Sequence, residues 1–450
     1  MSSTLYRHDS GYDAERAGFQ TLASHRPEVI VPAASPDDVR RAVSHAATRG
    51  LPVAVQATGH GLPVPAEGGL LVTTGRMNAV TIDPAAGTAR IEAGVRWEQV
   101  IAAAARHGLA PLSGSSPVVG AVSYTLGGGL GLMARRYGYA ADQVRAVDVV
   151  TADAELRHVT PDGDPDLFWA LVGGRGNFGV ATALEIGLVP VERLHGGGLY
   201  FGTDLAGPAL RAWRDWTRSL PEELTSSIAV IPFPDSPHAP ARFRGQTVAH
   251  VRVAFTGDAA EGEELLAPLR AVGPRLMDTV GELPYTGSAA IHNDPTTPSG
   301  YYSTHSLLRE LPEEALEALL GARAVIEVRH LGGALAKPRS VAKPRSVAKP
   351  RSVANSVGNR DALYYAGMLT PGLAPGSDLT AVRAAHEALR QGLAPWATGG
   401  QVLNFLYGDQ ATPENVRRAY EPGDYERLTR LKAAWDPENL FRLNHNVPPA

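Results

Sequence analysis

His60 stands between two glycines in the run Gln56-Ala57-Thr58-Gly59-His60-Gly61, directly after the apolar, strand-like stretch 51–55. A chain that leaves a strand and turns through Gly59 and Gly61 can bring bare backbone N–H groups against a diphosphate. The imidazole would then project beside whatever the phosphates carry. A histidine in one such turn is by itself an ordinary turn residue. A second glycine-rich run follows, however, with Gly127, Gly128, Gly129 and Gly131 after Leu126. A third sets Gly174, Gly176, Asn177 and Gly179 ahead of Val180. Three loops of this kind within the first 180 residues point to one extended, phosphate-bearing cofactor threaded through the N-terminal half.

The order of these motifs resembles that of the FAD-linked oxidases of the vanillyl-alcohol oxidase superfamily, in their berberine-bridge-enzyme-like branch. The resemblance runs from about Arg26 to the C-terminus. It implies FAD as cofactor, with His60 at the position that is bonded to the flavin 8α-methyl carbon. Many members add a second link through a Cys in a Cys-Pro-x-x-Gly setting. Here that setting reads Ser116-Pro117-Val118-Val119-Gly120, and the chain has no cysteine. A bicovalent flavin is excluded and a single link through His60 is expected. The resemblance also implies cofactor contacts from Tyr137 and, near the C-terminus, Asn444 and Asn446, besides the three loops, Ser116 and Gly120.

An oxidase of this kind must also remove a proton while hydride leaves the substrate. The related proteins often place a Tyr or Glu base on a Tyr-x-Asn-Tyr strand. The matching stretch here is Val402-Leu403-Asn404-Phe405, so both tyrosine positions are apolar and only Asn404 is kept. The His-Arg pair that often precedes this strand is Asn359-Arg360, a second departure. The catalytic candidates are Tyr365 and Tyr407, with Asn404 as a hydrogen-bonding partner. Tyr364, His292 and Asp294 are the reserves. A tyrosine base needs an activating neighbour, because its free pKa lies near ~10.

Composition sets wide bounds. The 450 residues allow two or three domains, and 44% apolar with 20% charged residues describes an ordinary globular protein. A net charge of −4 gives no reason to expect a nucleic acid or an anionic membrane as partner. Without cysteine there is no disulfide, thiolate metal site or cysteine nucleophile. No apolar run reaches the ~20 residues that span a bilayer, so the expectation is a cytoplasmic protein. His292, Asp294 and His445 lack partners at metal-ligand spacing, and no metal is expected.

The elements that must position these residues form an α+β pattern. Ser35 caps a helix over 36–49 that Gly50 stops. Strands are expected at 29–31, 52–55, 70–73, 79–82, 89–93, 144–151, 157–159 and 180–186, with helices at 97–107 and 167–171. The strands around 83–87 form a hairpin. The strand after Gly179 argues against a nicotinamide site, which needs a helix there. Beyond Pro190 come strands at 228–232, 247–255 and 364–369 and helices at 208–219, 262–272 and 313–324. Helices at 415–420 and 424–434 follow. The expected fold is a two-lobed FAD-binding domain of the PCMH type (1–192), with an inserted antiparallel-sheet substrate domain flanked by helices (193–400). The resemblance implies that a C-terminal segment (401–450) returns to the first domain. Ala336-Lys337-Pro338-Arg339-Ser340-Val341 occurs three times in tandem, too short a unit for a core of its own, and reads as a lengthened surface loop.

The sequence thus points to an FAD-dependent oxidase. Its partners would be a small organic alcohol, amine or hydroquinone, aromatic by preference, and O2 as acceptor. Small residues at Gly120 and Ala121 would let O2 approach. A flavin dehydrogenase with another acceptor, or a flavoprotein that sequesters a drug, remain as alternatives. Nothing in the sequence bears on oligomeric state.

Overall fold

A computed structural model describes residues 4–62, 64–337 and 354–450. All but the first two residues of the hexapeptide repeat lie outside the described residues.

Two small sheets carry the N-terminal part. In the first, Val29–Pro32, Leu70–Thr73 and Val53–Gln56 run parallel, and Leu5–Tyr6 adds an antiparallel edge. Leu70–Thr73 is central and buried throughout, the expected state of a parallel strand covered on both faces. The cover on one face is the helix Pro36–Arg49. Ser35 accepts a hydrogen bond from the Asp38 N–H at its start, and Gly50, at φ 65°, ends it. The second sheet is antiparallel, in the order Val80–Asp83, Thr88–Glu92, Val180–Gly187, Val144–Val150, Leu156–Val159. The strand after the third glycine loop is therefore present, as the argument against a nicotinamide site requires.

The third sheet has eight antiparallel strands and is built from residues 193–371. Five of its strands have no counterpart among those expected from the sequence: Arg193–Phe201, Met277–Asp278, Gly281–Pro284, Tyr301–Leu308 and Val325–His330. Several of their residues are glycine, histidine or charged, which dilutes the β-branched, apolar signal of a strand. Four helices, Thr203–Thr217, Ala259–Arg270, Glu313–Leu320 and Thr380–Leu393, pack on one face. That face is apolar, with Ala249, Val251, Val253, Ile326, Val328, Tyr364, Ala366 and Met368 in one core with Trp213, Leu266 and Leu316. Strand alternation sends the intervening residues to the other face, and these are polar: His250, Arg252, Glu327, Arg329, Tyr365 and His305. Register aligns them in two rows across the strands, Arg252–Ser227–Arg329–Tyr365 and His250–Ala229–Glu327–Gly367–His305.

The C-terminal segment folds back on the N-terminal part. Leu440 and Phe441 enter the core of the parallel sheet, and the Val53 N–H donates to Leu440 O. A buried ion pair between Lys432 and Asp436 (2.6 Å) supports the return, with Lys432 Nζ donating to Asn177 O as well. The stretch 402–405, expected as a strand, is instead a single 3-10 turn, Leu403–Phe405. It has no strand to pair with there, and its backbone is held by the turn bond from the Phe405 N–H to Val402 O. No helix among the described residues is long and apolar enough to cross a membrane.

Candidate cofactor cavity

The strand Val53–Gln56 delivers the His60 turn to the edge of a cavity of about 350 Å³. Backbone packing fixes the turn. The Phe19 and Gln20 N–H groups donate to Thr58 O and Gly59 O, and the Gln56 side chain donates to Ala17 O (3.1 Å). Gly59 sits at φ 69°, where a Cβ would lie 2.6 Å from Gly18 Cα, so only glycine fits. The imidazole of His60 stacks on Phe19, with centroids 3.8 Å apart. Its Nδ1 meets Thr58 Oγ1 at 2.9 Å, and Thr58 Oγ1 in turn accepts from the Gly120 N–H. Tyr301 donates its hydroxyl to His60 O (2.6 Å), tying the turn to the large sheet. Burial, helped by Arg96, lowers the His60 pKa to about 4. The ring is therefore neutral at physiological pH, and its Nε2 is buried without a partner in the protein.

Of the residues singled out from the sequence, Gln56, Ala57, Thr58, Gly59, His60, Gly61, Ser116, Gly176, Gly179, Val180, Asn404, Tyr407 and Asn444 line this one cavity. The triple glycine stands behind its wall. A Cβ on Gly127 would run into the Asn404 side chain, and one on Gly129 would meet Tyr124 and Ala140. Gly128 packs by Val357, and Gly131 backs onto Ser113 O. Gly120, Tyr137, Gly174, Asn177 and Asn446 also lie off the cavity. Asn177 is a clamp: its side chain donates to Gly174 O and His445 O and accepts from the Val447 N–H. Tyr365 does not reach the cavity either. It is held between His305 and Phe405, and burial keeps its hydroxyl well above the usual tyrosine pKa. Tyr364 lies on the helix side of the sheet, its hydroxyl 2.9 Å from Thr217 Oγ1. His292 is buried near Glu327 (3.7 Å), whereas Asp294 does line the cavity.

Residues the sequence reading did not single out complete the walls. Tyr301 and Arg329 come from strands that were not expected, and Tyr124 from beside the second loop. Arg175 lay inside the third glycine loop but drew no notice, although a charged residue within such a run is itself a signal. Its backbone is at φ 54°, ψ −137°, a conformation that L residues avoid. Arg329 binds Glu327 (2.8 Å), which also holds Arg252, so one carboxylate serves two guanidinium groups. Arg329 further lies over the rings of Tyr365 and Phe405.

The cavity fits FAD by a test internal to the structure. His60 Nε2, Ser116 Oγ, Tyr124 OH, Asn404 Oδ1 and Asn444 Oδ1 all belong to residues that line it, and all are buried without a protein partner. Buried polar atoms are rarely left so, and a cluster of five around one space calls for a polar occupant. With the bare turn at Gly59 and the neutral histidine, the wall offers donors, acceptors and close backbone approach. These are the needs of a dinucleotide.

Fold and cavity together define a class, the two-lobed α+β FAD-binding proteins. Comparison with known proteins agrees. A profile described as "FAD binding domain" matches residues 27–160, and one described as "Berberine and berberine like" matches residues 403–448. The chain is 29% identical over 464 residues to (R)-6-hydroxynicotine oxidase of Paenarthrobacter nicotinovorans, covering all of this chain and 97% of that protein. The crystal structure of 6-hydroxy-D-nicotine oxidase from Arthrobacter nicotinovorans superposes with a TM-score of 0.82 at 24% identity, over 100% of this chain and 98% of that one. A chitooligosaccharide oxidase gives 0.83 at 20% identity, over 100% and 97%. Along its whole length the chain is similar to FAD-linked oxidoreductases, with an FAD-binding match near its start and a berberine-like match near its end.

Proposed function

We propose that the protein is an oxidase that takes hydride from a small aromatic alcohol, amine or hydroquinone and passes the electrons to O2, releasing H2O2. On this reading residues 1–192 bind FAD, 193–400 supply the substrate wall, and 401–450 close the cofactor site. FAD is held by one covalent bond from His60 Nε2 to the 8α-methyl carbon. The observation that carries the proposal is the state of His60: neutral, stacked, fixed through Nδ1, with Nε2 buried and unpartnered at the cavity. An Nδ1–H donated to Thr58 would leave the Nε2 lone pair free to form that bond. Ser116, in the setting where related proteins carry Cys, presents only a hydroxyl, so no second link forms.

Bound FAD supplies the hydride acceptor and the two-electron relay to O2. The protein's own part is to orient the substrate and take its proton. Tyr301, Phe405 and Tyr407 give the space aromatic sides, Tyr301 and Tyr407 meeting edge to face at 5.9 Å. Burial pushes the Tyr407 hydroxyl up to about 12, against a smaller opposing pull from Arg175 and Arg329. Only about one such hydroxyl in 10⁵ is ionised at neutral pH, so Tyr407 donates a hydrogen bond to the substrate. Asp294, the carboxylate that lines the cavity, accepts the proton. Asn404 Oδ1 stands ready to accept from the cofactor or the substrate.

The test is turnover of a panel of aromatic alcohols, amines and hydroquinones in air, with O2 uptake and H2O2 release followed together. Equimolar uptake and release over many turnovers is expected. Fast flavin reduction followed by reoxidation only by a quinone would make the protein a dehydrogenase. Tight binding without turnover would make it a sequestering protein.

A further inference from the structure

Beside the cofactor cavity lies a smaller space of about 30 Å³, which the reaction described above leaves unused. It is enclosed between the chain that leaves the triple glycine and the large sheet. Leu130 and Leu132 line it from the first, and Ser227, Arg252 and Arg329 from the second, together with His292 and His330. The two spaces adjoin, because Ser115, Leu130 and Arg329 line both. No residue of the His60 turn or of the third glycine loop lines the smaller one, so it lies outside the bed of the cofactor. A volume of this size admits roughly two water-sized groups.

Its polar side is rich in donors, and no acidic side chain lines it. Glu327, off the wall, takes Arg252 Nη1 together with Nε and Nη2 of Arg329. Arg252 Nη2 and Arg329 Nη1 are left without a protein acceptor among the described residues, and two cations share one carboxylate. His330 Nε2 meets Arg135 Nη1 at 3.1 Å. A guanidinium can only donate, so Nε2 accepts and the ring proton sits on Nδ1. Burial, with Arg135 nearby, keeps that ring neutral, its pKa lowered to about 3. His330 Nδ1 and Ser227 Oγ are both buried without a protein partner, as is His292 Nδ1, 3.7 Å from Glu327. Unmet buried donors are costly, so the space calls for an acceptor, and the excess charge calls for an anion.

We infer that this side chamber is a substrate subsite for a carboxylate, which Arg252, Arg329, Ser227 and His330 receive while the substrate's aromatic ring lies in the main cavity. Arg329 joins the two spaces. Its guanidinium lies over the Phe405 ring, 5.3 Å from the centroid, so a substrate ring beside Phe405 brings its substituent to Arg329. A carboxylate matches the guanidinium fork and accepts from several donors at once, and its two oxygens suit the volume. A water held there must donate as well as accept, and it meets no acidic side chain. The inference rests on the oxidase reading above and narrows its substrate to an aromatic alcohol, amine or hydroquinone that also bears a carboxylate.

The test is calorimetric titration of the FAD-loaded protein with benzoate, with its neutral counterpart benzamide and with formate, for wild type, Ser227→Val and Ser227→Thr. The two variants have nearly the same side-chain volume and differ in the hydroxyl. Benzoate is expected to bind wild type about tenfold more tightly than benzamide, or better. Ser227→Val should remove most of that margin without changing benzamide binding, and Ser227→Thr should keep it. Equal binding of the two aromatics by wild type would overturn the subsite, as would a margin that survives intact in Ser227→Val. Formate binding as tightly as benzoate would reveal a site for free anions only and overturn it too. Each of these results leaves the oxidase reading standing. Failure of both aromatics to bind would overturn the aromatic substrate along with the subsite.

Discussion

The two walls of the cavity are built by opposite means. On the cofactor wall the backbone does most of the work. The His60 turn and the glycines behind Asn404 and Tyr124 create space and close approach, with Arg175 as the one charge. On the substrate wall the backbone is a regular sheet, and side chains supply everything. Arg252, Glu327 and Arg329 form a paired cluster, with Tyr365, Phe405 and His305 packed around it. A glycine turn has a fixed local grammar, whereas a polar sheet face acquires meaning only from its register. The first wall therefore suits a constant ligand, and the second can be revised residue by residue to change the substrate.

The difference can be broken deliberately. The largest effect is expected on the substrate wall. Glu327→Gln leaves Arg252 and Arg329 without their shared carboxylate and should cost about 3–5 kcal/mol of stability, read as a lower melting temperature. Flavin should stay attached, because the cofactor wall is untouched. Loss of flavin with unchanged stability would show that the walls are not separable in this way.

Acid should strain both walls. Burial lowers the pKa of His305 to about 4, and that of His445 to about 3, from an ordinary value of 6.5. The unfolded chain binds more protons than the folded one between those values. Stability from these groups is therefore complete above about pH 6.5 and is lost as pH falls toward 4. His305, 4% exposed, would account for about 3 kcal/mol by pH 4. Denaturant midpoints taken from pH 7.5 to 4.5 should fall mainly below 6.5. A flat profile would mean that these histidines are protonated when folded.

Gly129→Ala strikes the cofactor wall. Its Cβ would lie 2.5 Å from Tyr124 Cε1 and 2.7 Å from Ala140 Cβ, at a φ of 79°. A loss of about 1–3 kcal/mol is expected, together with reduced flavin content. The smallest effect distinguishes two tyrosines. Tyr407→Phe should lower kcat/KM by about tenfold or more if, as proposed, the hydroxyl of this cavity-lining residue donates to the substrate. Tyr365→Phe should change it by less than about threefold, because that ring only supports Arg329 and Phe405. The reverse order would move the substrate to the other side of Phe405.

How much of this was visible in the sequence follows from the same contrast. The His60 turn, the helix Pro36–Arg49 with its caps and the strand after Gly179 could be read because each is written in a few adjacent residues. The triple glycine was legible as a motif but not as a role. Whether Gly127 touches a ligand or makes room for Asn404 is decided by that distant residue, far along the chain. Arg329 and Tyr301 were hidden because their strands mix charged and polar residues on a buried face, contrary to the usual pattern. Tyr365 drew attention by type. Only register shows that it points between His305 and Phe405 rather than at a substrate. Arg175 was in plain view within a glycine run, but only the fold shows that it lines the cavity and meets His445.

The bond at His60 is open to the most direct test. Purified protein should be yellow, and after acid precipitation the colour should stay in the pellet. A proteolytic peptide containing His60 should carry the flavin mass, and His60→Ala should release all colour to the supernatant. Colour released from the wild type would contradict the covalent link, and a colourless protein that fails to take up added FAD would contradict the assignment of the cavity itself.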